Sequence, residues 1–141
     1  MPGRSVWTAA GSRSGTAGGS KPMGNLHKVR VRRIYEDPAR GDGIRVLVDR
    51  IWPRGMTREK ARLDEWCKQI APSTALRKWY GHDSKRFEEF TRRYRQELAE
   101  PERAEALAHL RGLAKTRTLT LLTASKAAEI SEATVLAQLL Q

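Results

Sequence analysis

The stretch at 44 to 51, Ile-Arg-Val-Leu-Val-Asp-Arg-Ile, constrains the fold of this chain more than any other. It is rich in β-branched residues and almost continuously apolar, the pattern of a strand covered on both faces of a parallel sheet. It stops at Trp52-Pro53-Arg54-Gly55, because proline cannot donate to a strand ladder and glycine permits a tight turn. A strand covered on both faces needs helices around it, and the remainder of the chain must provide them.

The flanking segments do so. Residues 27 to 35 alternate Val29, Val31 and Ile34 with basic side chains, the period of a half-exposed strand near a sheet edge. Asp42-Gly43 marks a turn. Thr57 is placed to cap a helix in which Leu63, Trp66, Cys67 and Ile70 share one face, which predicts an inward-pointing Cys67. Pro72 interrupts, Ser73 or Thr74 caps a short helix through Tyr80, and Gly81 ends it. Asp83 or Ser84 opens the next helix, with Phe87, Phe90, Tyr94 and Leu98 as its apolar stripe. Pro101 suits the first position of a further helix carrying Ala104, Leu107, Leu110 and Ala114. Residues 118 to 123 read as a second buried strand. A last helix over 127 to 140 buries some combination of Ile130, Ala133, Val135, Leu136 and Leu139. Strands separated by helices predict a small three-layer α/β domain with a mostly parallel sheet and about five flanking helices. Three strands are evident, so a fourth strand or a dimer contact is expected to complete the sheet.

A chain of 141 residues suits one domain with a real core, placed here at 25 to 141. Residues 1 to 24 hold six glycines and four serines with few large apolar side chains, too little burial to offset the entropy of ordering them. They read as a flexible basic extension. Their glycine content and lack of amphipathic pattern argue against a transit peptide, and Met23 is a candidate alternative start.

The chain carries 27 basic and 16 acidic residues, a net charge of +11, which favours an anionic partner. Residues 1 to 33 hold seven of the basic side chains and no acid, so the folded part is only mildly basic. The one cysteine excludes an intrachain disulfide, and no stretch of about 18 apolar residues is present to span a membrane. A reducing cytoplasm, with no membrane partner, is the expected setting.

In parallel α/β sheets ligands bind beyond the carboxyl ends of the strands, here at 49 to 55 and 123 to 126. Asp49 and Arg50 point to opposite faces by strand alternation. Trp52 and Arg54 follow in a turn where Gly55 lets backbone N–H groups approach a ligand, and a guanidinium fork suits phosphate or carboxylate. The plainer reading is a structural knot, with Asp49 accepting turn N–H bonds and Trp52 closing the core. The two are compatible. Ser125-Lys126 resembles an anion site at a helix start, or a serine cap beside a solvated lysine. His82, near Arg77, Lys78 and Arg86, is a weak catalytic candidate that could join a phosphate site, while Asp83 beside it reads as a helix cap. No His/Cys/Asp/Glu spacing suggests a metal, the Gly-x-Ser-x-Gly turn is absent, and no cofactor motif is found.

The run Val-Asp-Arg-Ile-Trp-Pro-Arg-Gly at 48 to 55, the Trp-Tyr-Gly-His-Asp block at 79 to 83, Leu63-Asp64-Glu65-Trp66 and Ala71-Pro72-Ser73-Thr74 resemble the domain-of-unknown-function 488 family in its YeaO-like branch. The resemblance covers residues 27 to 141 and implies a single cytoplasmic α/β domain of a family without a settled activity. Some relatives carry a MarR-type regulator label; the absence of a clear helix-turn-helix argues against that role. Many relatives follow the last strand with Ala-Lys-Asp and then a His-Asn pair. Here Ser125-Lys126-Ala127 is followed by Ile130-Ser131, so chemistry resting on that histidine is absent.

These observations predict a cationic pocket at the sheet's carboxyl edge, built by Asp49, Arg50, Trp52, Arg54, Gly55, Ser125 and Lys126 with His82 nearby. It would bind a phosphate-bearing or carboxylate small molecule. The alternative is a module that grips nucleic-acid phosphates without reading sequence, through Lys28, Arg30, Arg32 and Arg33.

Overall fold

The structure, a computed structural model, describes residues 28–141; the extension expected over 1 to 24, with its candidate start at Met23, lies outside them. Four strands form one sheet in the order β1-β4-β2-β3: β1 (Val29–Arg33), β2 (Ile44–Leu47), β3 (Glu65–Trp66) and β4 (Leu119–Thr123). Every pairing is parallel. The central strand β4 is buried at all five positions, and Leu119 sits in register with both Val29 and Ile44.

The sheet's two faces differ. Val46, Val48, Leu119 and Leu121 meet the large core formed by α2 (Thr74–Tyr80), α3 (Phe87–Glu97), α4 (Pro101–Thr116) and α5 (Glu132–Leu140). Phe90, Tyr94, Leu110 and Leu136 are at most 1% exposed there. Leu47 and Leu122 face the other way, onto Ile34, Ala61 and a rim of Trp52, Met56, Leu63 and Trp66. Among the described residues that second layer holds one α-helix, α1 (Arg58–Ala61), so the three expected layers are unequal in depth. Among the described residues no helix is long and apolar enough to cross a membrane.

Local signals behave as expected in α2 to α4. Ser73 accepts the Leu76 N–H and Gly81 closes α2 in the left-handed conformation. Asp83 caps a short 3-10 turn ahead of α3, and Pro101 opens α4.

The helix expected across Leu63, Trp66, Cys67 and Ile70 does not form. It begins at Thr57, whose hydroxyl accepts the Lys60 N–H, and ends after one turn at Arg62, φ +47°. Asp64 then exchanges bonds with Arg45, donating its N–H at 2.9 Å and accepting the Arg45 N–H on its carboxylate at 2.8 Å. The Cys67 N–H reaches Leu47 O at 2.8 Å. The open edge of β2 thus captures this backbone as β3, the missing fourth strand. The four apolar residues separate accordingly, Leu63 and Trp66 to the thin face and Cys67 and Ile70 to the thick one.

Two smaller corrections concern the ends. β2 leaves the sheet after Leu47 rather than at residue 51. The last helix starts at Glu132, after a 3-10 turn over Ala128–Ile130, so Ser125 is not a helix cap, and Ile130 and Leu139 are only half-buried.

Arg30 and Arg32 of β1 point to the thin face, where Asp42 is 1% exposed. Arg32 donates to both Asp42 oxygens at 2.9 Å, Arg45 closes on the same carboxylate, and Arg30 lies 3.6 Å away. Burial drives the Asp42 carboxyl upward, but the Ala39 N–H, Arg32 and Arg45 outweigh it and hold the group below the usual aspartate range.

Candidate functional site

The site is built where β2 and β4 end. Asp49 lies two residues beyond β2. Its carboxylate accepts the Thr123 hydroxyl and the Ala124 N–H, each at 2.8 Å. Its carbonyl accepts the Trp66 indole N–H at 2.7 Å. Trp52 donates its own indole N–H to Met56 O at 2.7 Å and meets Trp66 edge to face at 5.4 Å, with the Arg58 guanidinium 4.8 Å over its ring. The Tyr35 hydroxyl, donating to Arg54 O at 2.8 Å, ties the turn to the end of β1. The turn is a structural knot, with Asp49 accepting from the neighbouring strand rather than from its own turn.

The knot also forms one wall of a cavity of about 650 Å³, a volume typical of small-molecule sites. Asp49, Thr123 and Ala124 lie on its floor side and Arg50, Ile51, Trp52 and Arg54 along the turn. The start of α5 supplies Ser131 and Glu132, and α2 supplies Arg77, Lys78 and Tyr80, with His82 beyond it. Of the residues expected at the site, Asp49, Arg50, Trp52, Arg54, Ser125 and His82 line this space, whereas Gly55 and Lys126 do not. Gly55 instead supplies the turn's positive φ of 75°. His82 is exposed in the left-handed region, φ +57°, and among the described residues it has no hydrogen-bonded orienting partner. Asp83 is occupied as a cap, accepting the Lys85 N–H at 3.0 Å.

Charge in the cavity is sorted. Arg50, Arg54, Arg77 and Lys78 are exposed, and among the described residues none pairs with a carboxylate within 4 Å. The acids lie deeper. Burial first, then the neighbouring Asp49 carboxylate, push the Glu132 carboxyl well above the usual carboxyl range against a weaker pull from Arg77. The residue as a whole is half-buried. The Tyr80 hydroxyl donates to Ile130 O at 2.6 Å, and burial, with the Asp83 and Glu132 charges, pushes it up to about 12. Cys67, buried in the core, has its thiol pushed up to about 11 by burial and by Glu65. It is not a nucleophile at neutral pH.

Glu132 was not legible as a site residue, since 83 positions separate it from Asp49 and a glutamate opening a helix is common. The β1 residues take other roles. Arg30 donates to Gly41 O at 2.8 Å, Arg32 holds Asp42, and Arg33 donates to Ser125 O at 3.0 Å. Lys28 is exposed at the strand's start.

The family profile described as the Inactive DUF488-N3 subclade matches residues 28–141. The chain belongs to that subclade. Every residue of the cavity falls within the matched part. Among curated proteins, this DUF488-N3 chain is 50% identical over 113 residues to the uncharacterized protein Rv3073c of Mycobacterium tuberculosis (strain ATCC 25618 / H37Rv), covering 80% of this chain and 93% of the relative. It is 39% identical over 113 residues to the uncharacterized protein YeaO of Escherichia coli (strain K12), covering 80% and 96%. The resemblance read from the Val-Asp-Arg-Ile-Trp-Pro-Arg-Gly and Trp-Tyr-Gly-His-Asp blocks is therefore correct. No solved structure matches.

Proposed function

We propose that this DUF488-N3 protein is a cytoplasmic small-molecule binder, taking a phosphate-bearing or carboxylate ligand in the cavity beyond β2 and β4. The observation that carries this reading is the convergence of Arg50, Arg54, Arg77 and Lys78 on one cavity, none of them paired with a carboxylate among the described residues. Guanidinium forks recognise phosphate and carboxylate bidentately, and four like charges around one opening raise the local concentration of an anion.

Two features favour binding over turnover. The subclade is described as inactive, and the His-Asn pair that many relatives place after the last strand is missing here. His82 lacks an orienting partner among the described residues. The alternative, nucleic-acid contact through β1, draws less support because Arg30 and Arg32 are engaged by Gly41 and Asp42.

A thermal-shift series on the full chain with phosphate esters and small carboxylates tests the reading. Binding to the folded state raises Tm. The rise should vanish in Arg77→Ala/Lys78→Ala and persist in Lys28→Ala. A rise that follows Lys28 instead, or DNA retention without any small-molecule shift, contradicts it.

A further inference from the structure

We propose that the ligand of this cavity is a phosphate monoester of a polyol, its hydroxyl groups read by the Asp49–Glu132 carboxyl pair while the cationic mouth holds its phosphate. The inference rests on the anion-binding reading above and narrows it to one chemical class.

The pair is built to accept hydrogen bonds. Thr123 and Ala124 each take one lone pair of Asp49 and fix the carboxylate at the ends of both central strands. Each oxygen keeps a further acceptor site. Glu132, at the first position of α5, lines the same cavity. Among the described residues no cation pairs with either acid within 4 Å, and no group of three or more His, Cys, Asp or Glu side chains forms there to hold a metal. What such a pair recognises is an O–H donor.

Charge sorting then excludes the other ligand types. A dicarboxylate bridging mouth and floor would set its second anion against Asp49, a repulsion with no compensating donor. Inorganic phosphate engages only the mouth and leaves the pair unread. A phosphorylated polyol satisfies both ends, because a carboxylate accepts sugar hydroxyls while arginine and lysine hold the phosphate. Ile51, 64% exposed at the cavity, adds an apolar edge for the carbon skeleton.

Titration calorimetry on the full chain distinguishes these cases, using glycerol 3-phosphate, ribose 5-phosphate and glucose 6-phosphate beside inorganic phosphate, free ribose and succinate. The expected result is at least one ester binding tenfold or more tighter than inorganic phosphate, with succinate weaker than phosphate. Glu132→Gln, which preserves the shape of the side chain, should bring that ester to within about threefold of inorganic phosphate measured on the same variant. Asp49→Asn should do the same if it folds, and Glu132→Gln decides the matter if it does not. Equal binding of esters and phosphate overturns this inference and spares the anion site. Succinate binding tighter than every ester overturns it likewise. Absence of binding by any anion overturns both readings.

Discussion

Asp49 and Thr123, 74 positions apart, are joined by a 2.8 Å hydrogen bond from the threonine hydroxyl to the aspartate carboxylate. This bond locks the ends of β2 and β4 together, and the floor of the cavity is set by it. A strand pair that only packed side by side would leave Asp49 free to swing toward Arg50 or Arg77. Held by Thr123 and Ala124, it stays at the cavity that Glu132 also lines.

Thr123→Val keeps the volume and removes the donor. Urea unfolding should show a loss of ~1 kcal/mol, the usual net worth of a buried hydrogen bond. Affinity for a phosphate ester should also fall, because one of the two bonds that orient Asp49 is gone. An unchanged midpoint with unchanged affinity would contradict the role given to this bond.

Asp42 organises the thin face. Removing it in Asp42→Ala leaves the buried Arg45 guanidinium unpaired, and breaking a buried pair in this way costs about 3–5 kcal/mol. The pH dependence has a defined sign. The folded carboxyl is held below its ordinary value of 3.8, so its contribution is complete above that value and is lost as pH falls through 3.8 toward the folded value. Wild-type stability should therefore drop through that window more than Asp42→Asn does, measured by urea midpoints from neutral pH down to acid. Parallel curves would refute the ion cluster's role.

Gly43 stands at φ +63°, and a Cβ there would lie 2.1 Å from Thr118 O, the oxygen that accepts the Ile44 N–H at 2.8 Å where β2 meets β4. Gly43→Ala should cost about 3 kcal/mol or more, or prevent folding, since backbone rather than a flexible side chain blocks it. A variant with wild-type Tm would show that the turn is not as drawn.

Cys67 should resist alkylation. With its thiol pushed up to about 11 and only 2% exposed, the thiolate fraction at pH 8 is on the order of one in a thousand. Iodoacetamide should label native protein at least about a hundredfold more slowly than protein in urea. Comparable rates would place Cys67 at the surface.

How much of this the amino-acid sequence carries varies by segment. Elements whose signals are local are legible in it: Ser73 and Gly81 bracket α2, Pro101 opens α4, and β4 is apolar throughout because both its faces are covered. The segment around Leu63 to Ile70 misleads, since helical spacing of apolar residues also arises when a bent chain feeds two faces of a sheet, and only the free edge of β2 decides between them. The knot at Asp49 and Trp52 is evident from Pro53 and Gly55, whereas its partner Thr123 is not. Charge was the weakest guide. The arginines of β1 read as a free basic arm, yet Asp42, buried beside them, binds two and takes Arg45 as well. Glu132 reaches the cavity only because α5 packs against β1 and β4, a relation that no spacing encodes.

A crystal soaked in tungstate probes the anion site at the mouth of the cavity. Tungstate is a tetrahedral dianion like phosphate, and its anomalous scattering locates it without reference to any assumed ligand. A principal peak is expected among Arg77, Lys78 and the arginines of the turn at 50 to 54, lost in Arg77→Ala/Lys78→Ala crystals. A principal peak beside Lys28 and β1, or none at the cavity, would contradict it.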